Sequence, residues 1–261
     1  MARVTVADDE VQLAAIAALR ITSLIERAIA ARGSAVLCLS GGRTPERLYE
    51  ALADQREPWR TRIDWSRVHV FWSDERQVPP DHPDSNYAMA ERTLLSRVSI
   101  PPERIHRMEG ELLDAREAAR RYEADLRDRT LDVALLGIGE DAHIASIFPG
   151  SPLLDDRGPQ GSAPHPVNEG GAGLHGPRVA AVWVPLLNAW RMTLTPLALL
   201  EARAMLVMAS GPKKADAARA ALTLPDDVMR YPAQLLRRAE DRVEWIIDRA
   251  AARWLDAPHA Q

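Results

Sequence analysis

The 261-residue sequence has a single cysteine, Cys38, and few aromatic residues, which make up 5% of the chain. One cysteine excludes an internal disulfide framework and a zinc site built on cysteines. Lys and Arg number 33 against 37 Asp and Glu, which gives a formal charge of −4. The chain therefore lacks the basic excess that nucleic-acid binding requires, and we expect no nucleic-acid partner.

Long apolar stretches are also missing. No run approaches the roughly 20 residues that span a bilayer, and the segment from Met1 to Asp9 lacks the apolar core of a secretory signal. The sequence thus predicts no membrane association and a cytoplasmic location. Its length fits one domain or two closely packed lobes, and we expect a single domain over residues 1–261. The oligomeric state, monomer or dimer, stays open.

Short apolar runs alternate with segments of helical periodicity along the chain. The strand candidates are Ala35–Leu39, Val68–Trp72, Leu131–Leu136, Val179–Val184, Ala204–Ala209 and Val243–Asp248. Helices are predicted from Val11 to a stop at Gly33, from an N-cap at Thr44, over Ser85–Arg97 and Asp114–Arg129, from about His143, from Thr195, and over Pro212–Leu222 and Pro232–Arg238. This alternation predicts an α/β protein, with a mainly parallel sheet and helices on both faces.

One stretch interrupts the alternation. The residues from Pro149 to Pro177 are rich in Gly, Pro, Ser and Asn, and the stretch is too long for an ordinary connection. It is either a lid over a functional site or a disordered insertion.

Ligands of open parallel sheets bind beyond the carboxyl ends of the strands, and polar segments follow several of the predicted strands. The first consists of Ser40, Gly41, Gly42, Arg43 and Thr44. Glycines let backbone N–H groups close around an anion, and a helix N-terminus adds a favourable field. The segment is therefore either a phosphate cradle or a tight turn that Thr44 merely caps.

The second segment contains Asp74, Glu75 and Arg76 directly after a predicted strand. Carboxylates there suit substrate hydroxyls and a guanidinium suits a phosphate. The alternative is a solvated charged turn.

The third segment holds Gly137, Gly139 and Ala142 at the spacing G-x-G-x-x-A, with Asp141 and His143 beside them. A dinucleotide site needs a second strand and an acidic residue about 20 positions on. The Gly- and Pro-rich stretch follows instead, so we expect no nicotinamide or flavin cofactor. A carboxylate two residues from an imidazole is typical of a general base, although a lone histidine is more often structural.

The remaining candidates are weaker on their own. The other histidines have no paired-ligand spacing, so the sequence predicts no metal site. Ser146 would lie one helical turn beyond His143, and we expect a hydroxyl on a helix surface. Arg191 and Lys214 are either exposed charges or phosphate ligands.

Taken together and in this order, these segments resemble the glucosamine-6-phosphate isomerase/6-phosphogluconolactonase family, and specifically its lactonase branch. The matching pieces are Ser40–Pro45, Ser73–Val78 with Ser85 and Asn86, Gly137–Pro149, Arg191–Thr195 and Gly211–Lys214. The resemblance implies a Rossmann-like sheet and hydrolysis of 6-phospho-D-glucono-1,5-lactone, in the oxidative pentose phosphate pathway, with no cofactor. The sequence departs from the family pattern at Ala142, where Gly is usual. If this residue has positive φ, alanine in place of glycine adds backbone strain on the order of 1 kcal/mol.

The resemblance also implies roles for the candidate residues. The substrate phosphate would dock on the Ser40–Thr44 turn, with Arg76, Arg191 and Lys214 supplying positive charge. His143 would act as general base on water, Asp141 would orient its imidazole, and Asp74 would contact the sugar. Two alternatives remain: a deaminating sugar-phosphate isomerase, whose catalytic Glu is missing from the Ile144–Pro149 stretch, and a non-catalytic sugar-phosphate-binding protein.

Overall fold

The computed structural model describes residues 2–155 and 176–255. Its strands are β1 (Arg3–Ala7), β2 (Ala35–Leu39), β3 (Val68–Trp72), β4 (Asp74–Arg76), β5 (Val133–Gly137), β6 (Val179–Val184), β7 (Ala189–Leu194), β8 (Met205–Ala209) and β9 (Val243–Asp248). Its α-helices are α1 (Glu10–Arg32), α2 (Arg43–Ala53), α3 (Asn86–Thr93), α4 (Ala115–Leu126), α5 (Pro196–Leu200), α6 (Ala215–Leu222) and α7 (Arg249–Ala252). None of these helices is long and apolar enough to cross a membrane.

Six strands form a parallel sheet in the order β1-β9-β8-β5-β2-β3. The strands β4, β7 and β6 form a separate antiparallel sheet. Val179–Val184 was expected in the main sheet, and this prediction is wrong because β6 pairs with β7 instead. The second sheet begins where β3 ends, so the chain passes directly from one sheet into the other.

Helices cover both faces of the parallel sheet, as predicted. Side chains of α1, α2 and α3 form one apolar core, and those of α4 to α7 contribute to the other. Consecutive residues of β2 alternate between them: Leu37 and Leu39 face the first core, Val36 and Cys38 the second. The sheet is therefore buried on both sides, which explains why its strands read as continuous apolar runs.

Several helix ends agree with the sequence, among them the caps at Gly33, Ser85, Asp114 and Thr195, and two predicted helix starts are wrong. α1 ends at Gly33, which adopts a left-handed conformation with φ of 81°. α2 begins at Arg43 with Gly42 as N-cap, so the predicted cap at Thr44 is wrong. No helix begins at His143, because Ala142 and Ala145 have φ of 63° and 48°, and left-handed residues interrupt a right-handed helix.

The stretch from Pro149 to Pro177 is only partly within the described residues. Its beginning contains a short 3₁₀-helix, Pro152–Leu154. Residues 156–175 lie outside the described part of the chain. The choice between a lid and an insertion concerns these residues and stays open.

A histidine pair lies at the β3 edge of the parallel sheet, where Ile105 forms a bridge with Val70, and it predicts how stability depends on pH. His69 Nδ1 lies 3.1 Å from His106 Nε2, and the His106 ring stacks on Phe71 with 4.3 Å between centroids. Burial, reinforced by the positive charge of Arg129 and by His69, lowers the pKa of His106 to about 4. Between about pH 6.5, the usual histidine pKa, and pH 4 the unfolded chain binds the extra proton, so stability falls as pH falls.

We expect the urea midpoint of unfolding to decrease as the pH is lowered through that range. His106→Phe keeps an aromatic stack on Phe71 and removes the titrating group, so its midpoint should depend less steeply on pH. Equal slopes for wild type and variant would exclude His106 as a source of the pH dependence.

Candidate active site

The predicted site segments meet at the carboxyl end of the parallel sheet. A cavity of about 420 Å³ opens there, lined by Asp74, Arg76, Glu140, Asp141, His143, Ala145, Ser146, Phe148, Leu186, Leu187 and Arg191. Five residues predicted from the sequence share this cavity: Asp74, Arg76, Asp141, His143 and Arg191. It combines carboxylates, guanidinium groups and one imidazole with an apolar wall.

His143 and Asp141 form a hydrogen-bonded pair at the cavity. Asp141 Oδ1 lies 2.6 Å from His143 Nδ1 and also accepts from the His143 backbone N–H at 3.2 Å. A proton on Nδ1 leaves Nε2 as the basic nitrogen of a neutral imidazole. Burial raises the pKa of Asp141, but the hydrogen bond from His143, together with the positive charge of its protonated form, outweighs this effect, and the net pKa lies below its usual value. Asp141 is thus an ionised partner that orients the imidazole.

The backbone around the pair forms a tight turn. Gly139 N–H donates to the His143 carbonyl at 2.8 Å, and Ala142 N–H donates to the Gly139 carbonyl at 3.1 Å. The Phe148 ring packs on the imidazole with 4.3 Å between centroids. Ala142 has positive φ and so carries strain on the order of 1 kcal/mol. Its methyl group is buried in the second core, and that contact offsets part of the strain.

Asp74 is a buried carboxylate in the cavity wall. Its Oδ2 accepts a hydrogen bond from Ser146 Oγ at 2.7 Å, and its backbone carbonyl accepts from Asn86 Nδ2 at 2.9 Å. Ser146 was expected on a helix surface. It is 2% exposed and bonded to Asp74, so that expectation is wrong, for the same reason that no helix forms at His143.

Glu75, beside Asp74 in sequence, has a structural role. Its carboxylate accepts hydrogen bonds from Ser85 Oγ and from the backbone N–H groups of Arg76, Asn86 and Tyr87. It therefore binds β4 to the N-terminus of α3 and is 2% exposed. Of the two carboxylates in this segment, Asp74 faces the cavity.

Of the three cationic side chains predicted at the site, Arg76 and Arg191 line the cavity with the pair and Asp74. Arg76 and Arg191 are partners in the β4–β7 register; Arg76 donates to the Asp84 carbonyl and Arg191 to the Trp190 carbonyl at 3.1 Å. Burial and the charge of Arg76 lower the pKa of Arg191. Burial also lowers the pKa of Lys214, and the nearby charges of Glu140 and Asp141 oppose this. Lys214 does not line the cavity, and it lies within electrostatic range of Glu140 and Asp141.

The turn from Ser40 to Thr44 lies beside the cavity and does not line it. Tyr49 Oη accepts from Ser40 N–H at 2.9 Å and donates to its carbonyl at 2.7 Å. Gly41 packs so tightly on Asn86 that an added Cβ would lie 1.9 Å from Oδ1. Gly42, with φ of 100°, is the N-cap of α2 without a side-chain hydrogen bond. The Arg43 guanidinium is directed to Glu10, 3.2 Å away.

Several cavity residues were missed by the sequence analysis, namely Glu140, Ala145, Phe148, Leu186 and Leu187. Glu140 and Phe148 are sequence neighbours of the pair, which was a usable signal. Leu186 and Leu187 come from the tip of the β6–β7 hairpin, and nothing in the sequence relates that tip to His143. Within the described residues no cluster of three or more His, Cys, Asp or Glu side chains could hold a metal ion.

The sequence and the fold are similar to those of known proteins. Residues 8–245 match the family described as glucosamine-6-phosphate isomerases/6-phosphogluconolactonase. The chain is 35% identical over 241 residues to the 6-phosphogluconolactonase of Synechocystis sp., covering 88% of this chain and 89% of that protein. The structure of the 6-phosphogluconolactonase from Trypanosoma brucei superposes with a TM-score of 0.79 at 25% identity, covering 98% and 99% of the two chains.

A monomeric glucosamine-6-phosphate deaminase superposes almost equally well. Its TM-score is 0.78 at 23% identity, with 96% of this chain and 99% of that chain covered. At this identity the likeness concerns the fold, so the fold is common to both activities and the choice between them rests on the site residues.

Proposed function

The chain belongs to the glucosamine-6-phosphate isomerase/6-phosphogluconolactonase family, and from this we propose that it hydrolyses 6-phospho-D-glucono-1,5-lactone to 6-phospho-D-gluconate in the oxidative pentose phosphate pathway. The observation that carries the proposal is the 2.6 Å bond between His143 Nδ1 and Asp141 Oδ1 at a cavity that also contains Arg76 and Arg191. It supplies a general base next to positive charge, which is what hydrolysis of a phosphorylated lactone needs.

In the proposed mechanism His143 Nε2 accepts a proton from a water molecule while the water oxygen adds to the lactone carbonyl carbon. The resulting oxyanion is stabilised by a guanidinium group or backbone N–H groups at the cavity. The bond from the carbonyl carbon to the ring oxygen then breaks, and the ring oxygen takes the proton from His143. The new carboxylic acid ionises, and Asp141 holds the imidazole in the same orientation throughout. A lactone is an activated ester, so the scheme needs no covalent intermediate.

Positive charge in the cavity supports the placement of the phosphate. Arg76, Arg191 and Lys214 are the proposed ligands, together with the open N-terminus of α2 at the Ser40–Thr44 turn, where partial positive charge accumulates. Asp74 is the proposed acceptor for a sugar hydroxyl. Arg43 is engaged by Glu10, so its backbone N–H rather than its guanidinium is the proposed contact. The cytoplasmic location stays a prediction.

Two assays test the proposal against its nearest alternative. Freshly generated lactone should be hydrolysed far faster than it hydrolyses spontaneously, and glucosamine 6-phosphate should release no ammonia. Ammonia release without lactone hydrolysis would assign the deaminase activity. Binding of 6-phosphogluconate without turnover of either substrate would assign a non-catalytic sugar-phosphate-binding protein.

Lys214 yields a prediction about substrate binding. Lys214→Ala removes one charge-assisted contact to the phosphate and should raise KM about tenfold, about 1.4 kcal/mol, with little change in kcat. Because burial lowers the pKa of Lys214, affinity for 6-phosphogluconate should weaken at alkaline pH below the usual lysine range. Lys214→Arg keeps its charge and should lose less affinity at that pH. A Lys214→Ala enzyme with unchanged KM would place the phosphate elsewhere.

A further inference from the structure

Ser146 connects the turn that carries His143 to the antiparallel sheet. Its hydroxyl donates to Asp74 Oδ2 at 2.7 Å, and its backbone N–H donates to Thr193 Oγ1 at 3.1 Å. Thr193 is the residue paired with Asp74 in the β4–β7 register. One residue of the turn is therefore bonded, through two atoms, to adjacent positions on the two strands that carry Asp74, Arg76 and Arg191.

Asp74 is 8% exposed, and both of its carboxylate oxygens accept hydrogen bonds. Its Oδ1 accepts from Ser73 Oγ at 3.2 Å and lies 3.5 Å from Asn86 Nδ2. A carboxylate has about four lone-pair positions. The Ser146 bond uses one of the two lone-pair positions on Oδ2. The second position is available to a ligand, because Asp74 lines the cavity.

The turn itself has little regular structure to hold it. Ala142 and Ala145 both have positive φ, and Ile144 and Ile147 form an isolated bridge. Ser146 follows the second of the left-handed residues directly. Its two hydrogen bonds to the antiparallel sheet thus fix where the His143 turn lies relative to Asp74.

We propose that Ser146 is a positioning residue for the lactone substrate: its hydroxyl holds Asp74 Oδ2 in the orientation that accepts a sugar hydroxyl, and it sets the position of that carboxylate relative to His143. The substrate named here rests on the proposed function; the contact between Ser146 and Asp74 does not. Loss of the hydroxyl leaves Asp74 Oδ2 without its charge-assisted hydrogen bond, so the carboxylate rotates to find another donor for that oxygen.

The test combines Ser146→Ala with Asp74→Ala in a double-mutant cycle. Both kcat/KM for the lactone and the Kd of 6-phosphogluconate are measured, with inorganic phosphate as a competing ligand. Ser146→Ala should lower kcat/KM at least tenfold and weaken 6-phosphogluconate binding, while the inhibition constant of phosphate changes less than twofold. In the Asp74→Ala background the same substitution should change 6-phosphogluconate binding less than twofold, because its partner is gone.

A buried threonine far from the cavity provides the matched control. The Thr22 hydroxyl is fully buried in α1 and donates to the Ala18 carbonyl at 2.8 Å. Thr22→Ala should cost stability but leave kcat/KM and 6-phosphogluconate affinity within twofold. Should Ser146→Ala not fold, Ser146→Cys keeps the volume with a much weaker donor and should show the same loss in kcat/KM.

Two results would overturn the proposal. One is a folded Ser146→Ala or Ser146→Cys protein with wild-type kcat/KM and affinity. The other is an equal effect of Ser146→Ala in the wild-type and Asp74→Ala backgrounds, which would mean that Ser146 acts through general stability. If wild type binds 6-phosphogluconate without hydrolysing the lactone, the proposed function fails, while the binding arm of the cycle still decides the role of Ser146.

Discussion

His143→Ala is expected to lower kcat for the lactone by about a hundredfold or more, since general-base catalysis contributes typically 10²–10⁴-fold. The Kd of 6-phosphogluconate should change only a few-fold, because the proposed phosphate contacts are made by Arg76, Arg191 and Lys214. Steady-state kinetics on fresh lactone and calorimetric titration with 6-phosphogluconate measure the two quantities separately. This separation of turnover from binding is the signature of a residue that acts on the reacting water.

His106→Phe serves as the control for His143→Ala. It removes another partly buried imidazole, but one that does not line the cavity, and it should keep wild-type kcat. A His143→Ala protein with wild-type kcat would rule out His143 as the base. Equal losses of turnover and binding would indicate a collapsed site instead.

Gly139→Ala is expected to reduce activity nearly as much as His143→Ala, although the residue has no functional group. A Cβ at Gly139 would lie 2.0 Å from His143 Nδ1 and 2.6 Å from Asp141 Oδ1. Because Gly139 N–H is bonded to the His143 carbonyl at 2.8 Å, the backbones cannot separate without breaking the turn. The side chains must therefore give way, and the hydrogen bond between them is lost.

Gly137→Ala is a matched control from the same segment. Its added Cβ would meet nothing nearer than the Gly41 carbonyl oxygen at 3.9 Å, an ordinary contact, so kcat should stay within a few-fold of wild type. Thermal unfolding establishes that both variants are folded. Wild-type kcat in Gly139→Ala would contradict the importance of the His143–Asp141 bond.

Much of the fold was predictable because its strands are buried on both faces. Such strands are short apolar runs, and five of the six predicted ones form the parallel sheet. β1 was missed because it is not buried on both faces. It is an edge strand whose Val4 and Val6 are 37% and 50% exposed, so its sequence is not a continuous apolar run. β4 was missed because it has three residues, Asp74–Arg76, and reads as a charged turn.

The site residues were predictable where they follow the carboxyl ends of strands. Asp74, Asp141 and His143 come within six residues of the end of β3 or β5, and the parallel topology brings these ends together. The conformation of the His143 turn was predictable only in part. The usual Gly of the family at position 142 raised the possibility of positive φ there, which Ala142 adopts, whereas alanine favours helices and nothing in the sequence indicated positive φ at Ala145. The wrong prediction of a helix at His143 also led to the wrong prediction that Ser146 is exposed on a helix surface. Glu75 and Asp74 are adjacent and chemically alike, and only the position of α3 separates their roles.

The central claim is tested most directly by the rate at which wild type hydrolyses freshly generated 6-phosphogluconolactone, compared with the spontaneous rate in the same buffer and with His143→Ala in parallel. Hydrolysis well above the spontaneous rate in wild type, largely lost in the variant, is the predicted result. A wild-type rate equal to the spontaneous one would contradict the claim.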